Sequence, residues 1–310
     1  MAKILVTGSS GFVGSYMVEH LEKKDVELII ASRSVKNPTK HNNVELDMND
    51  KESIIKVLKK FKPTHIINLA GQSSVGLSWK HKQTTFQVNT FGTMNLLDAV
   101  LEYTPNCRIL SVGSSEEYGL VNIGNCPIQE TTILNPLSPY GLSKLSAGLL
   151  CMQYARAYGL DVFHTRTFNH IGVGQSLGFV TQDFAKQIAD IEKGVQEPII
   201  VVGNLDAIRD FTDVRDIVVA YELLLFNAIR GEIYNVCSGN GLKIIDILNI
   251  LISKAKVDIN IVQSSDKKRP ADVPILIGDN SKLTSSTNWK MKYLIEDSLG
   301  DILNYYRGIT

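Results

Sequence analysis

An excess of charge of either sign is missing from this chain: 32 basic and 32 acidic side chains leave a formal net charge of zero. Nucleic acids and anionic membrane surfaces attract partners through a basic field, and a balanced chain supplies none, so no nucleic-acid and no membrane partner is expected. Cysteine is scarce. Cys107, Cys126, Cys151 and Cys237 are scattered without close pairs, which suggests neither a disulfide framework nor a CxxC metal site and fits a reducing cytoplasm. The histidines His20, His41, His65, His81, His164 and His170 show no HExxH-type or clustered spacing, so no structural or catalytic metal is expected. Long apolar runs are lacking too: none can span a bilayer. The opening run, Met1-Ala2-Lys3-Ile4-Leu5-Val6-Thr7-Gly8, is too short for a signal peptide. What remains, 44% hydrophobic and 21% charged residues over 310 positions, is ordinary globular composition with room for a large α/β domain and a smaller partner.

Lys3-Ile4-Leu5-Val6-Thr7 is a continuous apolar strand of the kind buried on both faces of a parallel sheet. It runs into Gly8-Ser9-Ser10-Gly11-Phe12-Val13-Gly14 and then into a helical pattern, Tyr16, Met17, Val18 and Leu21. Strand, glycine turn and helix in that order form a phosphate-binding element. Glycines let the backbone approach a pyrophosphate, while free N–H groups at the helix start attract its charge. The spacing is GxxGxxG rather than GxGxxG, and a purely structural tight turn is the plain alternative. The next strand, Glu27-Leu28-Ile29-Ile30-Ala31-Ser32, ends in Arg33 where NAD-preferring folds carry an acidic residue. An arginine pairs with a 2′-phosphate, so NADP(H) is favoured, with NAD(H) the alternative and a surface arginine the bland reading. Val44-Glu45-Leu46-Asp47 is a third strand whose Asp47 reaches toward the adenine edge. A crossover helix from Ile54 to Phe61 ends before Pro63, and the strand His65-Ile66-Ile67-Asn68-Leu69-Ala70 finishes in the small polar loop Gly71-Gln72-Ser73-Ser74.

Further on, a long helix from about Thr85 to Tyr103 precedes the strand Arg108 to Gly113, which delivers Ser114-Ser115-Glu116-Glu117-Tyr118-Gly119 to the same sheet edge. Glu117 is expected in a solvated turn, a reading doubted for Glu116. The helix from Pro139 to Tyr158 carries Tyr140 and Lys144, four residues apart and so on one face. An ammonium beside a phenol lowers a pKa that is normally near ~10, and such a tyrosine protonates a carbonyl oxygen as hydride arrives. The hydroxyl of Ser114 can hydrogen-bond the same oxygen. A solvated helix face is the plain alternative for the pair. After the strand Asp161 to Thr167 the strand–helix alternation becomes irregular, with a loop at Phe168 to Gln175 and a helix from Val180 to Lys193. Lys186, Arg209 and Arg269 suit a diphosphate, with ordinary surface charge the alternative for each. The pattern predicts an α/β fold: a Rossmann-type doubly wound parallel sheet at 1–167 and 213–239, and a smaller C-terminal substrate-binding domain at 168–212 and 240–310.

Gly8-x-x-Gly11-x-x-Gly14, Ser114 and Tyr140-x-x-x-Lys144, in this order along the whole chain, resemble the extended short-chain dehydrogenase/reductases that modify nucleotide sugars. His164 to Gly172, Gly203 to Asp206, Arg209 to Asp213 and Arg269 to Pro274 are similar to the members that reduce or dehydrate GDP-linked sugars. The resemblance implies NADPH-dependent reduction of the C4 ketone of GDP-4-keto-6-deoxy-D-mannose to GDP-D-rhamnose. Formation of GDP-6-deoxy-D-talose, 4,6-dehydration of GDP-mannose, and a non-catalytic NADP(H)-binding sensor stand as alternatives. Tyr140 is then the general acid, Lys144 its pKa-lowering partner and nicotinamide-ribose ligand, Ser114 the group that orients the oxygen, and Glu116 the carboxylate that dehydratases use on the C5 proton. Implied cofactor contacts are Gly8, Gly11, Phe12, Val13, Gly14, Arg33, Asp47, Met48, Leu69, Ala70, Tyr140 and Lys144. Ser74, Ser115, Asn169, Val180, Lys186, Arg209, Arg269 and Asp272 are the implied substrate contacts. Val173 stands where the family pattern leads one to expect proline, which makes that loop less rigid. A homodimer through the helices around Asn89 and Tyr140 is also implied.

Overall fold

The computed structural model describes residues 1–34, 41–264 and 273–308. Its first half alternates strand and helix: β1 (Ala2–Thr7), α1 (Phe12–Leu21), β2 (Val26–Ser32), β3 (Asn42–Glu45), α2 (Lys51–Phe61), β4 (His65–Asn68), α3 (Val75–Lys80), α4 (Lys82–Phe86), α5 (Gly92–Tyr103), β5 (Arg108–Val112), α6 (Pro139–Tyr158) and β6 (Val162–Thr167). Then come β7 (Asn169–Ile171), α7 (Val180–Glu192), β8 (Ile199–Val202), β9 (Ile208–Asp213), α8 (Val214–Asn227) and β10 (Ile233–Val236). The chain continues through β11 (Gly241–Lys243), α9 (Ile244–Ser253), β12 (Asn260–Gln263), β13 (Ile275–Leu276), α10 (Ser281–Thr287) and α11 (Ile295–Arg307).

Seven parallel strands form the main sheet in the order β3-β2-β1-β4-β5-β6-β10. The order reverses between β1 and β4, and in open α/β sheets that switch point is where ligands bind. Alternating side chains feed two cores. Leu5, Ile29, Ile66 and Ile109 face the cluster that α2, α5 and α6 cover. Ile4, Val6, Leu28, Ile30, Ile67 and Leu110 face the other, packed by Met17 of α1 and by Ile217, Tyr221 and Leu224 of α8. Burial on both faces is why these strands are apolar throughout rather than alternating.

A smaller sheet, β11-β9-β13 with β7 also on β9, and the pair β12-β8 lie outside this frame. Their core is a separate cluster built from α7, α9 and α11, including Phe184, Ile188, Ile247, Leu299 and Ile302. Two local differences from the sequence reading matter. The segment 169–171, expected as loop, is strand β7 because Asn169, His170 and Ile171 pair with Phe211, Thr212 and Asp213. The single helix expected from Thr85 is instead α4, a π-helical turn at Gln87–Phe91, and α5.

Candidate active site

The ends of β1 and β4 are tied together at the switch point. Thr7 Oγ1 donates to Asn68 Oδ1 at 2.7 Å, and the Ala70 N–H donates to Thr7 Oγ1 at 3.2 Å. Gly8 follows at φ +67°, where a Cβ would lie 2.8 Å from the Ala70 nitrogen; a Cβ on Gly14 would lie 2.2 Å from the Gly8 carbonyl oxygen. Only glycine satisfies both positions. Helix α1 starts after Gly11 with no side-chain cap, so N–H groups of its first turn face outward for an anion. A glycine-walled turn ending in an uncapped helix fits the pyrophosphate of a dinucleotide. Phe12 and Val13 are half-buried in that first turn, and the Phe12 ring stacks on His170 of β7 at a centroid distance of 6.0 Å. Arg33 is exposed at the end of β2, while Met48 is buried where a Cβ on Gly92 would lie 2.8 Å from its own Cβ. Asp47 lies just beyond β3, and its Oδ1 accepts the Asn49 N–H at 2.9 Å. Leu69 and Ala70 are half-buried beside Gly8.

Ser114 and Tyr140 come together because two elements press on each other. Ser138 caps α6, its Oγ accepting the Gly141 N–H at 3.0 Å, and Pro139 pre-sets the first turn. A Cβ on Gly141 would lie 2.4 Å from the Glu116 carbonyl oxygen, so the helix start sits directly on the short 3₁₀ turn Ser115–Glu117. Ser114 caps that turn, its Oγ accepting the Glu116 N–H at 3.2 Å. Burial pushes the Tyr140 phenol well up, the hydrogen bond from Ser114 draws it back in part, and the carboxylates of Glu116 and Glu117 push it further up. This differs from the lowered phenol expected from the Tyr–Lys spacing. The Lys144 Nζ donates to the Val112 carbonyl at 2.8 Å, and burial lowers its own pKa to about 8 against the opposing pull of Glu117. A proton donor needs its protonated form, which burial of Tyr140 secures.

Glu117 is corrected outright. It is fully buried rather than solvated, with Arg166 and His164 as partners. Asn89 is a site residue that sequence reasoning passed over. Its Oδ1 accepts the Gln72 N–H at 2.8 Å, and its Nδ2 donates to the Gln72 carbonyl at 3.1 Å and to Ser143 Oγ at 3.0 Å. Ser143 in turn donates to the Tyr140 carbonyl at 2.7 Å. Asn89 thus pins the loop after β4 to the helix of Tyr140 and Lys144. It sits in the π turn, a distortion that recurs at functional sites. The sequence signal was weak, because Asn89 shares the expected helix with two other amides, Gln87 and Asn95.

The expected substrate contacts divide. Ser74 Oγ accepts the Leu77 N–H at 3.2 Å and caps α3, and Ser115 is buried. Asn169 and Arg209 share the small sheet, Asn169 opposite Phe211 and Arg209 two residues before it, with Arg209 Nη1 on the Ile208 carbonyl at 2.9 Å. Val180 opens α7. Lys186, two turns on, is in an ion pair with Asp190 at 2.5 Å. Arg269 and Asp272 lie outside the described residues. Among the described residues no helix is long and apolar enough to cross a membrane.

The model of the GDP-mannose 4,6 dehydratase family matches residues 5–302. The GDP-6-deoxy-D-mannose reductase of Pseudomonas aeruginosa is 35% identical over 302 residues, covering 97% of this chain and 96% of that protein. Human GDP-mannose 4,6 dehydratase is 30% identical over 337 residues, covering 97% and 90%. Among solved structures, RMD from Pseudomonas aeruginosa complexed with NADPH superposes with a TM-score of 0.89 at 34% identity over 100% of both chains. The UDP-glucose 4-epimerase of Thermus thermophilus in complex with NAD gives 0.89 at 26% identity, covering 99% of this chain and 100% of that one. With its glycine turn, its Ser114–Tyr140 contact and this end-to-end similarity, the chain belongs to the GDP-mannose 4,6-dehydratase family of extended short-chain dehydrogenase/reductases.

Proposed function

We propose that this chain is an NADPH-dependent reductase of the C4 ketone of GDP-4-keto-6-deoxy-D-mannose, giving GDP-D-rhamnose. The observation that carries the reading is the buried Tyr140 phenol, kept protonated beside Ser114, in a chain similar over its whole length to a GDP-6-deoxy-D-mannose reductase. NADPH, when bound, supplies the hydride that C4 receives. Tyr140 gives its proton to the C4 oxygen, and Ser114 holds that oxygen by a hydrogen bond. Lys144 keeps positive charge on the same helix face and serves the nicotinamide ribose. Gly8, Gly11 and Gly14 hold the pyrophosphate, and Arg33 the 2′-phosphate. Asn169, Arg209 and Lys186, the last on leaving Asp190, take the GDP portion with Arg269 and Asp272.

The division into a cofactor domain (1–167, 213–239) and a nucleotide-sugar domain (168–212, 240–310) is part of this proposal. Support comes from the separate core around α7, α9 and α11, although Leu283 and Trp289 pack into the core of the main sheet. A cytoplasmic homodimer is proposed as well. Phe91, Leu142 and Leu149, on or beside the helices of Asn89 and Tyr140, are apolar and exposed.

The test is direct. Protein supplied with GDP-4-keto-6-deoxy-D-mannose and NADPH is expected to oxidise NADPH one for one, with C4 proton couplings in the product distinguishing GDP-D-rhamnose from the talo epimer. No consumption of NADPH would sink the reading. A second reading, 4,6-dehydration, is favoured by Glu116, a half-buried carboxylate whose field reaches Tyr140; ketone formed from GDP-mannose without added reductant would support it. The cofactor assignment carries its own prediction. Arg33→Ser is expected to raise KM for NADPH by about 10-fold or more, the worth of one charge-assisted contact, and to leave KM for NADH unchanged. Equal KM changes for both cofactors would remove Arg33 from the 2′-phosphate.

A further inference from the structure

Glu117 is an ionisable side chain with no exposed surface, inside the wall of the site. Its Oε1 accepts the backbone N–H of Ser114 at 2.9 Å and stands 3.0 Å from His164 Nε2, while its Oε2 accepts Arg166 Nε at 3.0 Å. His164 and Arg166 are buried on β6, and each is braced from behind. His164 Nδ1 lies 3.2 Å from Ser111 Oγ, and Arg166 donates to the Glu130 carbonyl at 3.0 Å with its guanidinium 4.8 Å from the Tyr118 ring centroid. The surrounding backbone is cut away for this cluster. A Cβ on Gly113 would lie 2.1 Å from Glu117 Oε1 and 2.2 Å from His164 Nε2, and one on Gly148 of α6 would lie 2.7 Å from the same nitrogen.

Taking charges out of water costs several kcal/mol per ion, and a buried pair often adds nothing to stability over an apolar substitute. A cluster of this kind against Ser114 and α6 therefore calls for a role in the site. We propose that Glu117 is the positioning residue of the reductase site: clamped by Arg166 and His164, it fixes the turn that presents Ser114 and sets the field of its carboxyl group on Tyr140 and Lys144. The catalytic part rests on the reductase reading; the electrostatic part does not. Burial alone pushes the Glu117 carboxyl up, but His164, Arg166 and the Ser114 N–H together bring it below the usual carboxylate range, so it stays ionised. Its field raises Lys144 against the burial that lowers it, and raises Tyr140. The other charged or titratable groups facing this pair are Glu116 from the 3₁₀ turn, Cys151 from α6 and the Tyr221 hydroxyl from α8.

Two measurements on the full chain test this. In Glu117→Gln, the Lys144 titration, followed by NMR of lysine-labelled free protein and assigned with Lys144→Arg, is expected to move to lower pH by about one unit, as loss of a nearby opposite charge requires. In turnover, kcat is expected to fall by about 10–100-fold with KM for NADPH and sugar nucleotide held within about 2-fold, and the alkaline limb of kcat to shift the same way. Glu117→Asp, which keeps the charge but shortens the reach, is expected to return the limb to its wild-type position while kcat stays low. Should Glu117→Gln fail to fold because Arg166 is left unpaired, Glu117→Gln/Arg166→Gln is measured against Arg166→Gln, so that the lost cation cancels and the difference reports the carboxylate alone. A Lys144 titration and a kcat limb that both stay in place when Glu117 becomes Gln, against wild type or against Arg166→Gln, overturn the proposal. If the wild-type protein itself oxidises no NADPH, the reductase reading fails and the Lys144 titration alone decides the electrostatic role.

Discussion

Tyr140→Phe is expected to lower kcat for ketone reduction by about 10²–10⁴-fold, the usual worth of a positioned general acid, while NADPH affinity stays within about 2-fold of wild type. The substitution removes one oxygen from a buried ring and leaves the helix start untouched, because the Ser138 cap and Pro139 do not involve the phenol. The Tyr221 hydroxyl is engaged with Thr167 Oγ1 at 2.7 Å, and burial pushes its pKa up as well. Ser114 keeps its place as cap of the 3₁₀ turn, so the variant still binds and orients the ketone but cannot protonate it. Steady-state turnover with the GDP-4-keto-6-deoxy sugar, paired with a fluorescence titration of NADPH, separates the two effects. A kcat within about threefold of wild type in a folded variant would remove Tyr140 from the chemistry.

The parts of this site that the sequence makes legible are those set by local spacing. A glycine turn between an apolar strand and a helix, and a tyrosine four residues before a lysine, have their geometry dictated by the backbone of one element. The parts that are not legible depend on what arrives from elsewhere in the chain. Glu116 and Glu117 look alike as letters in a polar turn; they are told apart by Arg166 and His164, 49 and 47 residues further on. The Tyr–Lys spacing places the two side chains on one face, yet the direction of the Lys144 ammonium is settled by a carbonyl of β5. Asn89 could be found only once the π turn had rotated it toward Gln72 and Ser143. Lys186 is the opposite case. Asp190 stands four residues after it, so their pairing was already available from helix periodicity. The small sheet draws β7, β9, β11 and β13 from four separated segments, and no local pattern announces such a pairing.

Asp210 holds that small sheet to the large one, and Asp210→Asn is expected to destabilise the chain by about 2–5 kcal/mol. It is almost wholly buried on β9, one residue from Arg209. Its Oδ1 accepts the Ser238 N–H at 2.8 Å and the Ser238 hydroxyl at 2.6 Å; its Oδ2 accepts the Gly239 N–H at 2.9 Å and the Gly278 N–H at 3.2 Å. Ser238 and Gly239 follow β10 of the main sheet, whereas Gly278 follows β13 of the small one. One carboxylate therefore satisfies donors from both sheets. Burial raises its pKa despite these four hydrogen bonds, so removing the charge relieves a desolvation cost that opposes the expected loss. The donors outweigh that relief. Asparagine offers one oxygen, and its NH₂ would point at the donors that the second oxygen now accepts, leaving at least two buried groups unmatched at about 1–3 kcal/mol each. At about 2–3 °C per kcal/mol for a chain of this size, the midpoint of thermal unfolding should fall by roughly 4–15 °C. Because β9 carries Arg209 beside the strand of Asn169, KM for the sugar nucleotide should rise in the variant by a larger factor than kcat falls. A midpoint within about 1 °C of wild type would mean that the two sheets are held together by their apolar contacts alone.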